Sequence, residues 1–437
     1  MANSFSKEER VAFEDILEGF QDALVLSKNV AVYRTDQTMM ERTNNVIWRP
    51  QPYIATSYSG TDMSSNFDDF TQLSVPATIG FSKSVPWVMT ATELRDSLQE
   101  GRLGDAAKQK LASDINVAIM NVAANQGTLF VKRTSAASGF DDVAQCEAIM
   151  NEQGVPSYDR FLALSTRDYN GMASNIASGS SSGSRSFNGS KSATAYERAF
   201  VGTVASFDTF KLDYANSLAK AVPGDSAVVI NQATASLRRY DPVATDVNGN
   251  NVDNRTMQLQ VTVAANGALK AGDCFTIAGV NSVHAITKQD TGQLKTFRII
   301  SIVSGGGTAG TNVLQISPPI IAADSSPSNA QSEYQNVSAT PANGAAFTFL
   351  NTAPATGAAT VNPFWQRDSL EILPGRYAIP SDAGVAVMRA TTDQGLELVM
   401  QKFYDLNTMK TKYRLDTLFG VVNKQPEMSG IMLFSQT

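Results

Sequence analysis

Between Gly224 and Leu350 the chain loses helical periodicity altogether, and that loss constrains the fold more than any other feature. Short β-prone runs alternate there with Gly, Asn and Asp turns: Ala227–Ile230, Met257–Val263, Cys274–Ile277, Thr296–Val303 and Val313–Ile316. Strands at such spacing predict a small antiparallel barrel or sandwich. Helix and strand patterns mix on the N-terminal flank, and mixed α/β character is expected again after Asn362. A β-module is therefore inserted into a domain whose two halves lie on either side, and the whole chain reads as α+β.

The flanking helices carry clear signals. Ser6 and Glu9 have capping-box spacing, and Phe13, Ile16, Leu17, Phe20 and Leu24 repeat at helical intervals. The opposite side of that helix carries Glu14, Glu18 and Asp22, with Asp15 beside them; it reads either as a solvated face or as a docking strip for a basic partner. From Pro50 to Lys83 the pattern loosens into Ser, Thr, Asp and Gly with short β-prone stretches. That is long for a simple connection and predicts an extended β-hairpin. Thr90–Glu93 caps a short helix expected to stop near Gly101. After Gly104 a long helix follows over Asp105–Gln126, with Gly127 as its C′ residue. Such a helix spans roughly 33 Å at about 1.5 Å per residue. A further helix is predicted over Asp142–Gln153, closed by Gly154, and a buried strand over Arg160–Leu164. The Ser/Gly tract Ser178–Ser192 has too few apolar groups to pack and predicts a mobile loop.

Chemistry-bearing residues are scarce. In 437 residues there is one histidine, His284, and two cysteines, Cys146 and Cys274. No metal set and no histidine-based triad can be assembled, so no catalytic, metal or cofactor-binding residue is assigned. His284 falls in the alternating run Val280–Ile286 and reads as a structural residue on a strand. Both cysteines sit among apolar neighbours and read as free core thiols. Gly179–Gly183 matches the pattern of a hydrolase nucleophile elbow around Ser181, but it lies in low-complexity sequence without a base. Gly189–Ser192 lacks the earlier glycine of a phosphate loop. The net charge of −6 and a pI near 5.1 argue against a duplex-gripping protein. The low charged fraction, 17%, suggests that much of the surface is covered by neighbours. Met1–Glu8 shows no secretory pattern, and no run of about 18 apolar residues predicts a membrane span.

The order of parts resembles one family, the major capsid (coat) proteins of tailed double-stranded-DNA bacteriophages, and within it the podovirus-type coat with an inserted β-barrel. The residues that carry the resemblance are spread along the chain. Asn44–Pro50 looks like the lead into an extended loop, and Glu93–Asp96 with Asp105–Gln126 like the entry into a spine helix. Asn251–Arg255 and Lys270–Val280 resemble strand-and-turn signatures of the insert, and Asn362–Trp365 the return from it. Arg414–Asp416, Phe419–Val421 and Gln425–Glu427 resemble the closing strands. The resemblance implies an N-terminal arm (1–49), an extended loop (50–83), a peripheral domain with the spine helix (84–135), a first axial part (136–223), the inserted barrel (224–350) and a returning axial and peripheral part (351–437).

It also implies a function: a subunit of an icosahedral shell, assembled in the host cytoplasm into a procapsid that matures around packaged double-stranded DNA. The implied partners are further copies in hexamers and pentamers, an internal scaffolding protein, a portal protein and a decoration protein, with neither membrane nor cofactor. Scaffolding protein would dock on Glu14, Asp15 and Glu18. An acidic loop of the insert, Tyr240–Asn254 with Asp241, Asp246 and Asp253, would make contacts between capsomers, and Arg298 lies nearest the place of its basic partner. The alternatives are an encapsulin-type compartment shell and a serine hydrolase resting on Ser181.

Overall fold

The computed structural model describes residues 7–33, 46–57, 59–64, 67, 69–90, 92–93, 97–178, 198, 201–214, 216–324, 326–352, 357–380 and 384–437. Its elements begin with α1 (Lys7–Ala23), β1 (Ala31–Val32), β2 (Val46–Pro50), β3 (Ser74–Thr78), β4 (Phe81–Thr90) and α2 (Ser97–Gln126). There follow β5 (Leu129–Lys132), α3 (Phe140–Glu152), β6 (Arg160–Ser165), α4 (Thr166–Ser178), β7 (Thr203–Val204), β8 (Phe207–Leu212) and β9 (Ser217–Ala219). The inserted stretch contributes β10 (Val229–Ile230), β11 (Met257–Ala268), β12 (Cys274–Val283), β13 (Asp290–Ser304), β14 (Thr308–Ser317), α5 (Asn329–Glu333) and β15 (Phe347–Phe349). The remainder is β16 (Ala358–Thr360), β17 (Asn362–Gln366), β18 (Leu370–Pro374), β19 (Ala386–Thr391), β20 (Glu397–Asp405), β21 (Lys410–Asn423) and β22 (Ser429–Leu433).

The chain divides into two units, the first formed by Met1–Ile47, Pro76–Val122 and Leu370–Val422. Its sheet has the order β1-β18-β21-β20-β19, with β4 pairing β21. β21 alternates between exposed and buried residues over Lys410–Leu415, the signature of a strand with one wet face. α1 buries Phe13, Ile16 and Phe20, with Leu24 buried just beyond its end, as the periodicity predicts. α2 is continuous where the sequence predicts a short helix, a break near Gly101 and a restart. The physical reason is visible at Gly104: a Cβ there would lie 2.5 Å from Ile16 Cδ1. That glycine admits α1 at close range and does not end a helix. Ser6, and with it the capping pair expected with Glu9, lies outside the described residues; Glu9 itself turns inward. Its buried carboxylate is held by Lys402 Nζ and by Tyr413 Oη at 3.1 Å.

The second unit comprises Trp48–Val75, Ala123–Ser369 and Asn423–Thr437. One sheet has the order β5-β22-β17-β6-β8-β7. α3 and α4 cover it through Val143, Cys146, Met150, Tyr169 and Met172, packed with Leu162, Leu164 and Met432. A short ladder, β9 with β16, forms the neck through which the chain leaves and returns. Beyond it lies the barrel, in the order β10-β11-β14-β13-β12-β15. Phe347 N donates to Val228 O at 2.8 Å and Ile230 N to Ala345 O at 3.0 Å, joining the two ends of that order. Its core runs from Ala221 to Phe349, with Phe275 stacked on Phe347 at 4.2 Å between ring centroids.

Four further expectations change. After Asn362 the described chain is strand with only single 3-10 turns, not mixed α/β. In the predicted hairpin over 50–83, β2 pairs β3, the described residues of 51–73 form no strand, and Phe81 already begins a strand of the first unit's sheet. Gly127 has no left-handed backbone. It is needed because a Cβ would lie 2.9 Å from the Gly430 backbone nitrogen. His284 follows the end of β12 and sits in a turn, where Nδ1 accepts from Ile286 N and Thr287 N, both at 3.2 Å. The Ser/Gly tract from Gly179 to Ser192, with Ser181, lies outside the described residues.

Candidate assembly surfaces

The surfaces that could join copies of this chain follow from what each element leaves uncovered. With Phe13, Ile16, Phe20 and Glu9 turned into the first unit, α1 presents Glu14, Asp15 and Glu18 to solvent, all exposed. No described basic side chain neutralises this strip at ion-pair distance. The three carboxylates lie within about 1.1 helical turns, close enough to act on one partner segment.

Residues 240–254 form a self-braced hairpin outside the barrel. Buried Asn254 anchors its base: Oδ1 accepts from Tyr240 Oη at 2.9 Å and Val243 N at 3.2 Å, and Nδ2 donates to Val243 O and Val252 O. At the tip, Asp246 accepts from Asn248 N and Asn250 N, both at 2.8 Å. The Asn250 N–H foremost holds that carboxyl below its ordinary value. Val247 beside it is fully exposed. Asp241 accepts from Ser328 Oγ at 2.6 Å, and Asp253 is half-buried in a two-pronged pair with Arg255 at 2.9 and 2.8 Å. The tip therefore offers Asp246 and Val247, while Asp253 is already committed.

Arg298 is the clearest correction among the site residues. It lies on β13 but is 1% exposed, so it presents nothing to another capsomer. Its guanidinium donates to Ala124 O and, at 3.2 Å, to Gly127 O, which caps the carboxyl end of α2. A cation there satisfies orphan carbonyls and meets the negative end of the helix dipole. Sequence reading placed Arg298 on a strand but could not foresee a partner 174 residues away.

A polar cluster that the sequence did not reveal lies between the barrel and the end of α3. Lys295, 2% exposed, pairs with Glu427 at 2.6 Å and donates to Gln153 Oε1 at 2.6 Å. Glu427 also accepts from Asn336 Nδ2 at 3.0 Å. A cavity of about 170 Å³ adjoins the cluster, lined in part by Lys288, Tyr334, Pro52 and Ile54. The two thiols are buried, and burial pushes Cys274 up to about 11 and Cys146 well above the ordinary thiol range, so neither is poised to react. Among the described residues no three His, Cys, Asp or Glu side chains converge as a metal site, and no helix is long and apolar enough to cross a membrane.

Comparison with known proteins completes the picture. A sequence model of the family described as "P22 coat protein - gene protein 5" matches residues 1–435. Among solved structures, a chain from Mycobacterium phage Che8 is similar at 9% identity over 92% of this chain and 88% of that one, with a TM-score of 0.42. The mature capsid of bacteriophage PhiM1 is similar at 10% identity over 100% and 89%, with a TM-score of 0.43. The CUS-3 coat protein I-domain is similar at 41% identity over 29% of this chain and 99% of that one, with a TM-score of 0.23.

Proposed function

We propose how this chain builds a shell, proceeding from the fact that it belongs to the P22 coat protein family. It is a major capsid protein of a tailed phage, a structural subunit of an icosahedral shell. That membership favours the phage reading over an encapsulin-type compartment and leaves the Ser181 hydrolase reading without support.

The finer reading is that scaffolding protein docks on Glu14, Asp15 and Glu18. The observation that carries it is the anchoring of α1: its apolar face and Glu9 are used inside the subunit, so the acidic strip stands on a fixed helix. A basic helical segment would bind there through exposed ion pairs of about 0.2–1 kcal/mol each, weak enough for misplaced subunits to leave. The tip at Asp246 and Val247 serves contacts between capsomers. Residues 51–73, which expose Tyr53, Phe67 and Phe70, lie along a neighbouring copy. A portal protein at one vertex and a decoration protein outside complete the partners. Assembly takes place in the host cytoplasm, and maturation shifts arms and loops as the shell fills with DNA. The acidic chain encloses that DNA without reading its sequence and runs no reaction of its own.

The test is charge reversal at Glu14, Asp15 and Glu18 to Lys. The soluble subunit should keep its circular dichroism and melting point while scaffold-dependent shell formation disappears. Wild-type assembly by the triple variant would remove the docking role from α1.

A further inference from the structure

The described residues of segment 51–73 form no strand, yet its carboxyl-terminal limb is held by two consecutive residues of the inserted stretch. Glu333 Oε2 accepts from Thr71 N at 3.3 Å, and Tyr334 Oη donates to Thr71 O at 2.8 Å. Both backbone groups of one loop residue are thus bound by the end of α5. A third contact lies just beyond: Ser74 and Asp253 form a parallel bridge. Asp253 is fixed in turn by Arg255, which reaches Asn423 O at 2.8 Å.

α5 is built to hold still. Ser328 and Gln331 form a reciprocal capping box at its start, with Gln331 N donating to Ser328 Oγ and Ser328 N to Gln331 Oε1, both at 3.1 Å. Glu333 is 3% exposed, a position where a carboxylate without partners would be costly. The two limbs of the loop are tied at its base as well, by Gln51 N to Leu73 O at 2.8 Å, and Gln51 Nε2 donates to Lys424 O at 2.9 Å. The contacts at Thr71 use only backbone atoms of the loop, so they fix its direction whatever side chains its tip carries.

We propose that Glu333 and Tyr334 are positioning residues through which the inserted barrel aims the loop 51–73, and thereby sets where its exposed aromatic residues meet a second copy of this chain. The proposal rests on the reading of that loop as an intersubunit arm. It gives the barrel a task inside its own subunit, in addition to the contacts offered by its exposed hairpin.

The experiment compares the full-length wild type with Tyr334→Phe and with the double variant Glu333→Leu, Tyr334→Phe. Loop release is read by chymotrypsin cleavage after Phe67 and Phe70, and assembly by electron microscopy with scaffolding protein. Loss of both hydrogen bonds should raise the cleavage rate about tenfold in the double variant and less in Tyr334→Phe. The melting point should stay near that of the wild type, and the shells should become mis-sized or fail to close. Unchanged cleavage would overturn the proposal. So would faster cleavage with shells of normal size and yield. Should the double variant fail to fold, Tyr334→Phe, which removes one oxygen atom, decides by the same two readouts. A wild type that forms no shells would instead overturn the capsid reading, while the cleavage comparison would still judge the clamp.

Discussion

Lys288 sits where burial works against its charge. Desolvation, more than any neighbour, pushes its ammonium from 10.5 down to about 8; Glu427 and Glu333 pull it back upward and Lys295 lowers it further. Between those two values the unfolded chain holds a proton that the folded chain has shed, so this residue makes stability rise with pH across that window. Below pH 8 both states are protonated and the cost is constant. Lys288→Met should therefore stabilise the chain most at pH 7–8, with the advantage shrinking towards pH 10.5; chemical denaturation at a series of pH values measures it, and parallel curves for the two proteins would contradict it. Arg298 makes the opposite case, a buried cation whose hydrogen bonds complete a helix end. Arg298→Met should lower the stability of the full chain by about 2 kcal/mol, seen as an earlier denaturation midpoint. At this scale the sequence was least legible. Arg298 looked like a surface partner because its true partner lies 174 residues away, and Glu9 likewise meets Tyr413 across 404 residues. Nothing local marks such pairings.

Elements were more readable, because their causes are local. The periodicity of Phe13, Ile16 and Phe20 is what α1 buries, and the alternating runs from Met257 to Ile316 are strands of the barrel. The misreadings at the two ends of α2 share one cause, glycine. Gly101 and Gly104 lie inside α2, and Gly127 serves close approach of the Gly430 backbone; a sequence shows a glycine but not what presses on it. His284 was placed on a strand because alternation continues past Val283, whereas its ring closes the following turn. The hairpin at Asp246 yields a prediction of its own. Asp246→Ala removes the acceptor of two backbone N–H groups, so the amides of Asn248 and Asn250 should exchange hydrogen markedly faster while the barrel melts as before. Unchanged exchange would show that the Asn254 base alone holds the hairpin. The neck between β9 and β16 also predicts that residues 217–360, expressed alone, give a folded β spectrum.

At the scale of the molecule, the barrel was legible from the abrupt change of periodicity at Gly224. Exposure of the residues proposed for docking was legible only in part. Glu14, Asp15 and Glu18 are exposed as expected, Asp246 stands at a tip, and Arg298 has left the surface. The clamp on Thr71 had no sequence signal, since it acts on backbone atoms. A shell multiplies weak contacts, so each surface needs only a modest energy, and assembly should weaken as salt screens the acidic strip. The decisive measurement is electron microscopy of particles from cells that co-express the chain with a scaffolding protein. A shell subunit gives closed icosahedral shells of pentamers and hexamers; folded monomers or small rings that never close would overturn that role.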